Sequence, residues 1–380
     1  MTTYADMMAL KPLGDPLADR VVTDLLDTGQ IGSVNELFST IHTVDQDQGL
    51  PTTAPPLLRD YLKDTGRFPE WTDWERIGHI GQFYAQHKRT AGAVQGTAGL
   101  IGTYLSPVGA KTLHTTHSLD HPARRLAQST RLFVGMGDQD AFARNSTLIP
   151  TCQKVRLVHA AVRQLLARSG TWDVANDGEP VSQLYAYEAL LIFSIGTLDA
   201  MERLGVEVTD EQEDGFYYAW KLMGHWLGIP ESPAPLPDTV AAARVLWHEA
   251  RDGGTWGPTQ PGVVLTAGCV ELYEERMPPG LKGFIPAFIR QVLTDKYADM
   301  VGVPHSDFER ELRSASGIKE RWNAIMDRFK AKHDSGDHRA HHGIDALGEA
   351  VERVCEDLSA AHGHGDVPEG AEPQMPDHID

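Results

Sequence analysis

A histidine on an apolar helical stretch is the residue of this sequence with the clearest chemical potential. The segment KVRLVHAAVRQLLAR, residues 154–168, repeats its apolar residues at the spacing of an amphipathic helix. On such a helix His159 shares one face with five apolar side chains: Val155, Val158, Val162, Leu165 and Leu166. The spacing therefore predicts a histidine on the buried side of a helix. Such a residue is either a core histidine bonded to a neighbour or a metal ligand, and the segment alone leaves both alternatives open.

The composition describes a globular protein with an acidic surface. The chain has 380 residues, of which 41% are hydrophobic, enough for one large domain or two modest ones. Its net charge of -19 repels a phosphate backbone or an anionic membrane, so we expect no nucleic-acid partner. The three cysteines, Cys152, Cys269 and Cys355, form no CxxC pair, which favours a reduced compartment over a disulfide framework.

The location is expected to be cytoplasmic. The N-terminal residues MTTYADMMALKPLGDP show neither the basic nor the apolar region of a secretory signal. The most apolar stretch, residues 189–198, is about half as long as a membrane-spanning helix requires. We therefore predict no transmembrane segment.

The elements that must position His159 all have helical patterns. Asp15 and Pro16 open a helix, while residues 181–204 are apolar around the whole circumference, as in a helix at the centre of a domain. Convincing alternating strands are lacking, so the predicted fold class is all-α. We predict a flexible arm over residues 1–13, a single helical domain over 14–330, and a polar, His-rich tail over 331–380 with one short helix.

Beyond these patterns, the sequence resembles the MpaB-type oxygenases, a family that includes the latex-clearing proteins. The resemblance runs in order over residues 14–305, in the segments GDPLADRVV, ARRLAQST, VRLVHAAVRQLL, EALLIFSIGTLDAMERLGV, YAWKLMGHWLGIP and PPGLKGFIPAFIRQVLTDKYADMVGVP. It implies an all-helical fold that encloses one haem b between helices. It also implies that the histidine of the HAAVR helix, His159 here, is the proximal iron ligand. A dry, apolar helix face and a neutral imidazole suit that role.

Two arginines accompany His159 on the same helix. Arg156 and Arg163 lie seven residues apart along the edge of the face that carries His159. Given the resemblance, we expect one or both to pair with haem propionates, because a guanidinium matches a carboxylate. The alternative is a pair of solvated surface arginines.

The resemblance also implies a distal set on the preceding helix. The latex-clearing proteins carry an arginine there, followed by a lysine and a threonine, which matches Arg125, Gln128 and Ser129 here, with Thr130 adjacent. Arginine is kept, but a glutamine carboxamide replaces the lysine amine and is a poor iron ligand. We find no counterpart of the family's catalytic glutamate upstream. These departures argue against rubber cleavage and leave the haem expectation intact.

The leading hypothesis is a haem-dependent oxygenase that uses dioxygen on a small hydrophobic or unsaturated metabolite, with an electron donor as a further partner. Arg125 is the expected distal donor, and Gln128, Ser129 and Thr130 line the oxygen pocket. One alternative is a haem-binding carrier or sensor without turnover. Another is a non-haem metalloenzyme that uses His159 with His225. His225 and Tyr218 lie seven residues apart, on one helix face without further metal-binding side chains, so we expect a structural role for both.

Overall fold

The chain folds into packed helices, as the sequence predicts. The structure, a computed structural model, describes residues 2–32, 54–116, 132, 135–138, 140–143, 146–277 and 282–313. Over those ranges it contains helices, turns and bends and no β-strand. The all-α fold class is therefore confirmed. The helix predicted to carry the distal residues Arg125, Gln128, Ser129 and Thr130 lies largely outside the described residues, and the His-rich tail lies wholly outside them.

The described parts of the chain contain a series of helices. In the N-terminal half they are α1 (Tyr4–Met8), α2 (Pro16–Asp27), α3 (Pro56–Thr65), α4 (Trp74–Val94), a π-helical turn (Gln95–Gly99), α5 (Leu100–Thr103), α6 (Pro107–Thr115) and α7 (Leu148–Ser169). In the C-terminal half they are α8 (Val174–Asp177), α9 (Gln183–Phe193), α10 (Ile195–Arg203), α11 (Asp210–Trp226), α12 (Val240–Asp252), α13 (Gln260–Arg276), α14 (Phe284–Leu293), α15 (Asp295–Met300) and α16 (Phe308–Arg313).

The helix that carries His159 is α7, and its C-terminal end follows from local sequence. It ends at Ser169 because Gly170 adopts φ +68°, a left-handed conformation that glycine takes without the steric cost of a side chain. It packs against α2, which begins at Pro16 behind the N-cap Asp15, whose carboxylate accepts a hydrogen bond from the Ala18 amide. The predicted start of α2 is confirmed.

The centre of the molecule is built on α9 and α10. This pair is buried around most of its circumference, as the absence of a polar face predicts. Gln183–Arg203 is the one stretch of the described chain that is long and apolar enough to cross a membrane. However, 72% of its most apolar window is buried inside the fold, which is typical of a core helix. A break at Ser194, whose hydroxyl donates to the Leu190 carbonyl at 2.7 Å, separates the two helices.

The N-terminal residues differ from the flexible arm that the sequence suggests. Residues 4–8 form α1, whose N-terminus is capped by a capping box between Thr3 and Asp6. Met7 and Leu10 are fully buried in the main core. Burial of these two side chains holds the segment against the domain, so the arm prediction is wrong for residues 2–13.

Candidate functional site

Helix α7 is apolar on two faces, and only one of them is fully buried. Leu157, Ala160 and Ala161 are completely buried and form, with α2 and α3, a core cluster separate from the main one. On the face predicted to be buried, Leu166 is buried as expected, but the rest of the face is only half-buried. It consists of a stripe of four apolar residues and one histidine, here called the α7 stripe: Val155, Val158, His159, Val162 and Leu165.

Sequence periodicity missed this distinction because both faces repeat at helical spacing. The two small residues Ala160 and Ala161 allow α2 to approach α7 closely, which decides the more buried face. His159 therefore lies on the α7 stripe and not in the fully packed cluster. A half-buried apolar surface around an imidazole is the surface that a flat hydrophobic cofactor requires.

The two arginines of α7 pair with carboxylates of α2. Arg156 makes a bidentate ion pair with Asp15, with Nη2 to Oδ1 at 2.9 Å and a shorter contact from Nε to Oδ2. Arg163 donates from Nε to Asp19 at 2.8 Å and from Nη1 to the Val181 carbonyl at 2.8 Å. Both arginines are mostly buried, so the expectation of solvated surface residues is wrong.

These pairs change what we expect of the arginines. The guanidinium of Arg156 is already paired with the Asp15 carboxylate. We therefore propose that Arg156 joins α2 to α7 and does not bind a propionate. Arg163 keeps one buried nitrogen, Nη2, that makes no hydrogen bond within the described residues. A propionate role therefore remains a proposal for Arg163. Burial raises the pKa of Asp19, and the nearby Arg163 guanidinium opposes that shift.

The predicted distal residues, Arg125, Gln128, Ser129 and Thr130, lie outside the described residues. Their roles stay predictions.

His225 and Tyr218 lie on α11 beside Trp71, in a polar and aromatic neighbourhood. The Tyr218 hydroxyl accepts a hydrogen bond from the Asp73 amide at 2.6 Å, and the Arg76 guanidinium lies 4.1 Å from the centre of the Tyr218 ring. These contacts support the structural role predicted for Tyr218. Burial lowers the pKa of His225, which favours its neutral form. Within the part of the chain that the structure describes, no three His, Cys, Asp or Glu residues are grouped to hold a metal ion.

Glu188 is a buried acid whose environment the sequence did not reveal. It lies in the middle of α9 and not at a helix cap, and burial raises its pKa to about 8 although Ser106 and Thr255 hydrogen-bond to it. One of its carboxyl oxygens makes no hydrogen bond within the described residues. The carboxyl is therefore largely protonated in the folded protein at neutral pH. The only sequence signal for this was a carboxylate inside an otherwise apolar helix.

The structure described so far is an all-helical domain with a histidine on a half-buried apolar helix face. The sequence matches the family model described as "ER-bound oxygenase mpaB/B'/Rubber oxygenase, catalytic domain" over residues 84–327. The chain belongs to this family of oxygenases, as the resemblance in the sequence indicates.

Two individual proteins resemble the chain over most of its length. The rubber oxygenase of Streptomyces sp. (strain K30) is 28% identical over 295 residues, which cover 76% of this chain and 70% of that protein. The solved structure of latex clearing protein LCP in the closed state has a TM-score of 0.75 with this fold and covers 91% of both chains. At 24% identity, that match supports the fold alone.

Proposed function

We propose that this protein is a haem b-dependent oxygenase that uses dioxygen to oxidise a small apolar or unsaturated metabolite. Membership of the oxygenase family supports the reaction class. The observation that carries the cofactor assignment is the α7 stripe, where an imidazole lies among apolar side chains that the protein's own core covers only in part.

The residues present fit a haem. His159 would hold the iron, and its apolar neighbours Val155 and Val162 would lie against the porphyrin and keep water away from it. When bound, the haem supplies an iron that activates dioxygen. Arg163 is close to His159 on the helix and has one unsatisfied donor, so it is the α7 residue that we propose for a propionate.

The distal residues complete the proposal from sequence. Arg125 would place a guanidinium beside the reacting oxygen and stabilise negative charge that develops there. Gln128, Ser129 and Thr130 would offer hydrogen bonds without donating a strong ligand to iron. This combination favours a small hydrophobic substrate over a polymer. A separate electron donor is a further proposed partner.

The proposal is tested with the purified protein and a set of substrates. Extraction into alkaline pyridine should give the spectrum of haem b at about one haem per chain. Oxygen consumption should then rise with short unsaturated isoprenoids and stay at background with polyisoprene latex. Cleavage of latex at the rate of its short fragments would refute the substrate class. Haem without oxygen uptake on any unsaturated compound would instead favour the carrier or sensor alternative.

A further inference from the structure

A pocket beside α11 has the dimensions of a ligand site. Its volume is about 590 Å³, within the range of small-molecule sites, which is roughly 300–1,000 Å³. It lies between the C-terminal half of α11, the start of α12 and the proline-rich segment 230–238. None of the residues that line it belongs to the α7 stripe.

One wall of the pocket is apolar and rigid. Trp71 contributes its indole ring, whose Nε1 donates to Glu231 Oε1 at 2.8 Å and is thereby fixed in orientation. Ile229, Pro230 and Leu236 continue this wall. A fixed aromatic ring flanked by proline and aliphatic side chains suits a flat ring or a short hydrocarbon chain.

Beside the Trp71 ring the pocket also holds a buried cation with an exposed partner. The Lys221 side chain is only 11% exposed, and its ammonium lies 4.8 Å from the centre of the Trp71 ring. Its Nζ donates to Asp238 Oδ1 at 2.5 Å, whereas the Asp238 side chain is 90% exposed. Moving Asp238 into solvent costs little, because its carboxylate is already largely hydrated. The buried ammonium, in contrast, requires an anion at that position.

The surroundings of Asp238 favour a carboxylate. Lys221, and more weakly Arg76, hold the pKa of Asp238 below its usual value. Arg76 also donates to the Asp238 backbone carbonyl at 3.3 Å. This local preference for an anion contrasts with the net charge of -19 on the whole chain, so it arises from these side chains and not from the overall field.

We propose that this pocket binds a small amphipathic carboxylate, whose carboxylate replaces that of Asp238 on Lys221 while its apolar body lies against Trp71. Asp238 then acts as an internal competitor that occupies Lys221 when no ligand is present. Glu231, which also lines the pocket, repels an anion, so the carboxylate of the ligand binds at Lys221. The inference is independent of the proposed haem chemistry, because it uses none of the same residues.

The test is calorimetric titration of the full chain with 2-naphthoate, with 2-naphthamide as the uncharged analogue. The carboxylate should bind at least tenfold more tightly than the amide. Asp238→Asn should tighten naphthoate binding by about tenfold, because it removes a competitor that occupies Lys221 most of the time. Asp60→Asn, which removes the same charge from an exposed position on α3, should leave the affinity unchanged.

Lys221→Met should abolish the preference for the carboxylate over the amide. If that variant fails to fold, Asp238→Asn still decides, because damage to the fold does not produce tighter binding. Equal affinities for naphthoate and naphthamide in the wild type would overturn the proposal. So would an Asp238→Asn variant that binds naphthoate no more tightly than the wild type does.

Discussion

At the scale of single residues, Glu188 makes the stability of the protein depend on pH. Its pKa is raised from an ordinary value of 4.5 to about 8, so the folded state holds a proton that the unfolded state releases. The stability that this proton contributes is fully present below pH 4.5. It is lost progressively as the pH rises toward 8.

We therefore predict that Glu188→Gln flattens the pH dependence of unfolding. Between pH 5 and pH 8 the wild type should lose up to about 1.4 kcal/mol of unfolding free energy per pH unit more than the variant, because glutamine cannot ionise. Urea denaturation at several pH values measures this difference. The exposed Glu249→Gln is the matched control and should parallel the wild type. Parallel curves for Glu188→Gln as well would contradict the buried, protonated state.

The distal assignment is also tested at this scale. If Arg125 lies beside the reacting oxygen, Arg125→Ala should lower the rate of substrate oxidation by about 100-fold and leave the haem content unchanged. Oxygen uptake normalised to the pyridine haemochrome measures both quantities. Loss of haem from Arg125→Ala would reassign Arg125 to cofactor retention.

At the scale of elements, three ion pairs join α2 to α7. Asp15 pairs with Arg156, Asp19 with Arg163, and Asp27 with Arg168 at 3.2 Å. Since both residue numbers rise together, the two helices run in the same direction. The side chains of the first two pairs are mostly buried, whereas those of the third are 50% and 63% exposed.

Burial predicts that these pairs differ in their contribution to stability. Asp15→Asn should lower the unfolding free energy by about 3 kcal/mol, because it leaves the Arg156 cation buried without its anion, while asparagine still caps α2. The exposed control Asp27→Asn should change it by less than about 1 kcal/mol. Denaturant titration compares the two variants.

The same helix pair tests our assignment of Arg156. Arg156→Met should lose stability but retain haem, since Asp15 is the partner of this arginine. A variant that folds normally and purifies without haem would restore the propionate role for Arg156.

The α7 helix also shows where sequence patterns reach their limit. Its C-terminal end was predictable from Gly170 and its amphipathic character from the apolar spacing, because both depend on local chemistry. The burial of Ala160 and the pairing of Arg156 depend on α2, which lies about 140 residues earlier in the chain. No local pattern contains that information.

At the scale of the whole molecule, the all-helical class and the central α9–α10 pair follow from the pattern of apolar residues along the sequence. A helix that is apolar around its whole circumference has no face suited to water and is buried at the centre of a soluble helical domain. The packed N-terminus did not follow, because α1 is only five residues long and the fully buried side chains of this segment are Met7 and the nearby Leu10. The pocket beside α11 did not follow either, since it combines Trp71 with residues about 150 positions later in the chain.

The central claim is that the protein's oxygen chemistry depends on a haem held by His159 on the α7 stripe. The most direct measurement is the visible spectrum of His159→Gly, purified with and without imidazole. We predict no Soret band without imidazole and its return when free imidazole fills the cavity, while the control His225→Gly keeps the band throughout. A full-strength Soret band in His159→Gly without imidazole would show that another residue holds the iron and would contradict the account.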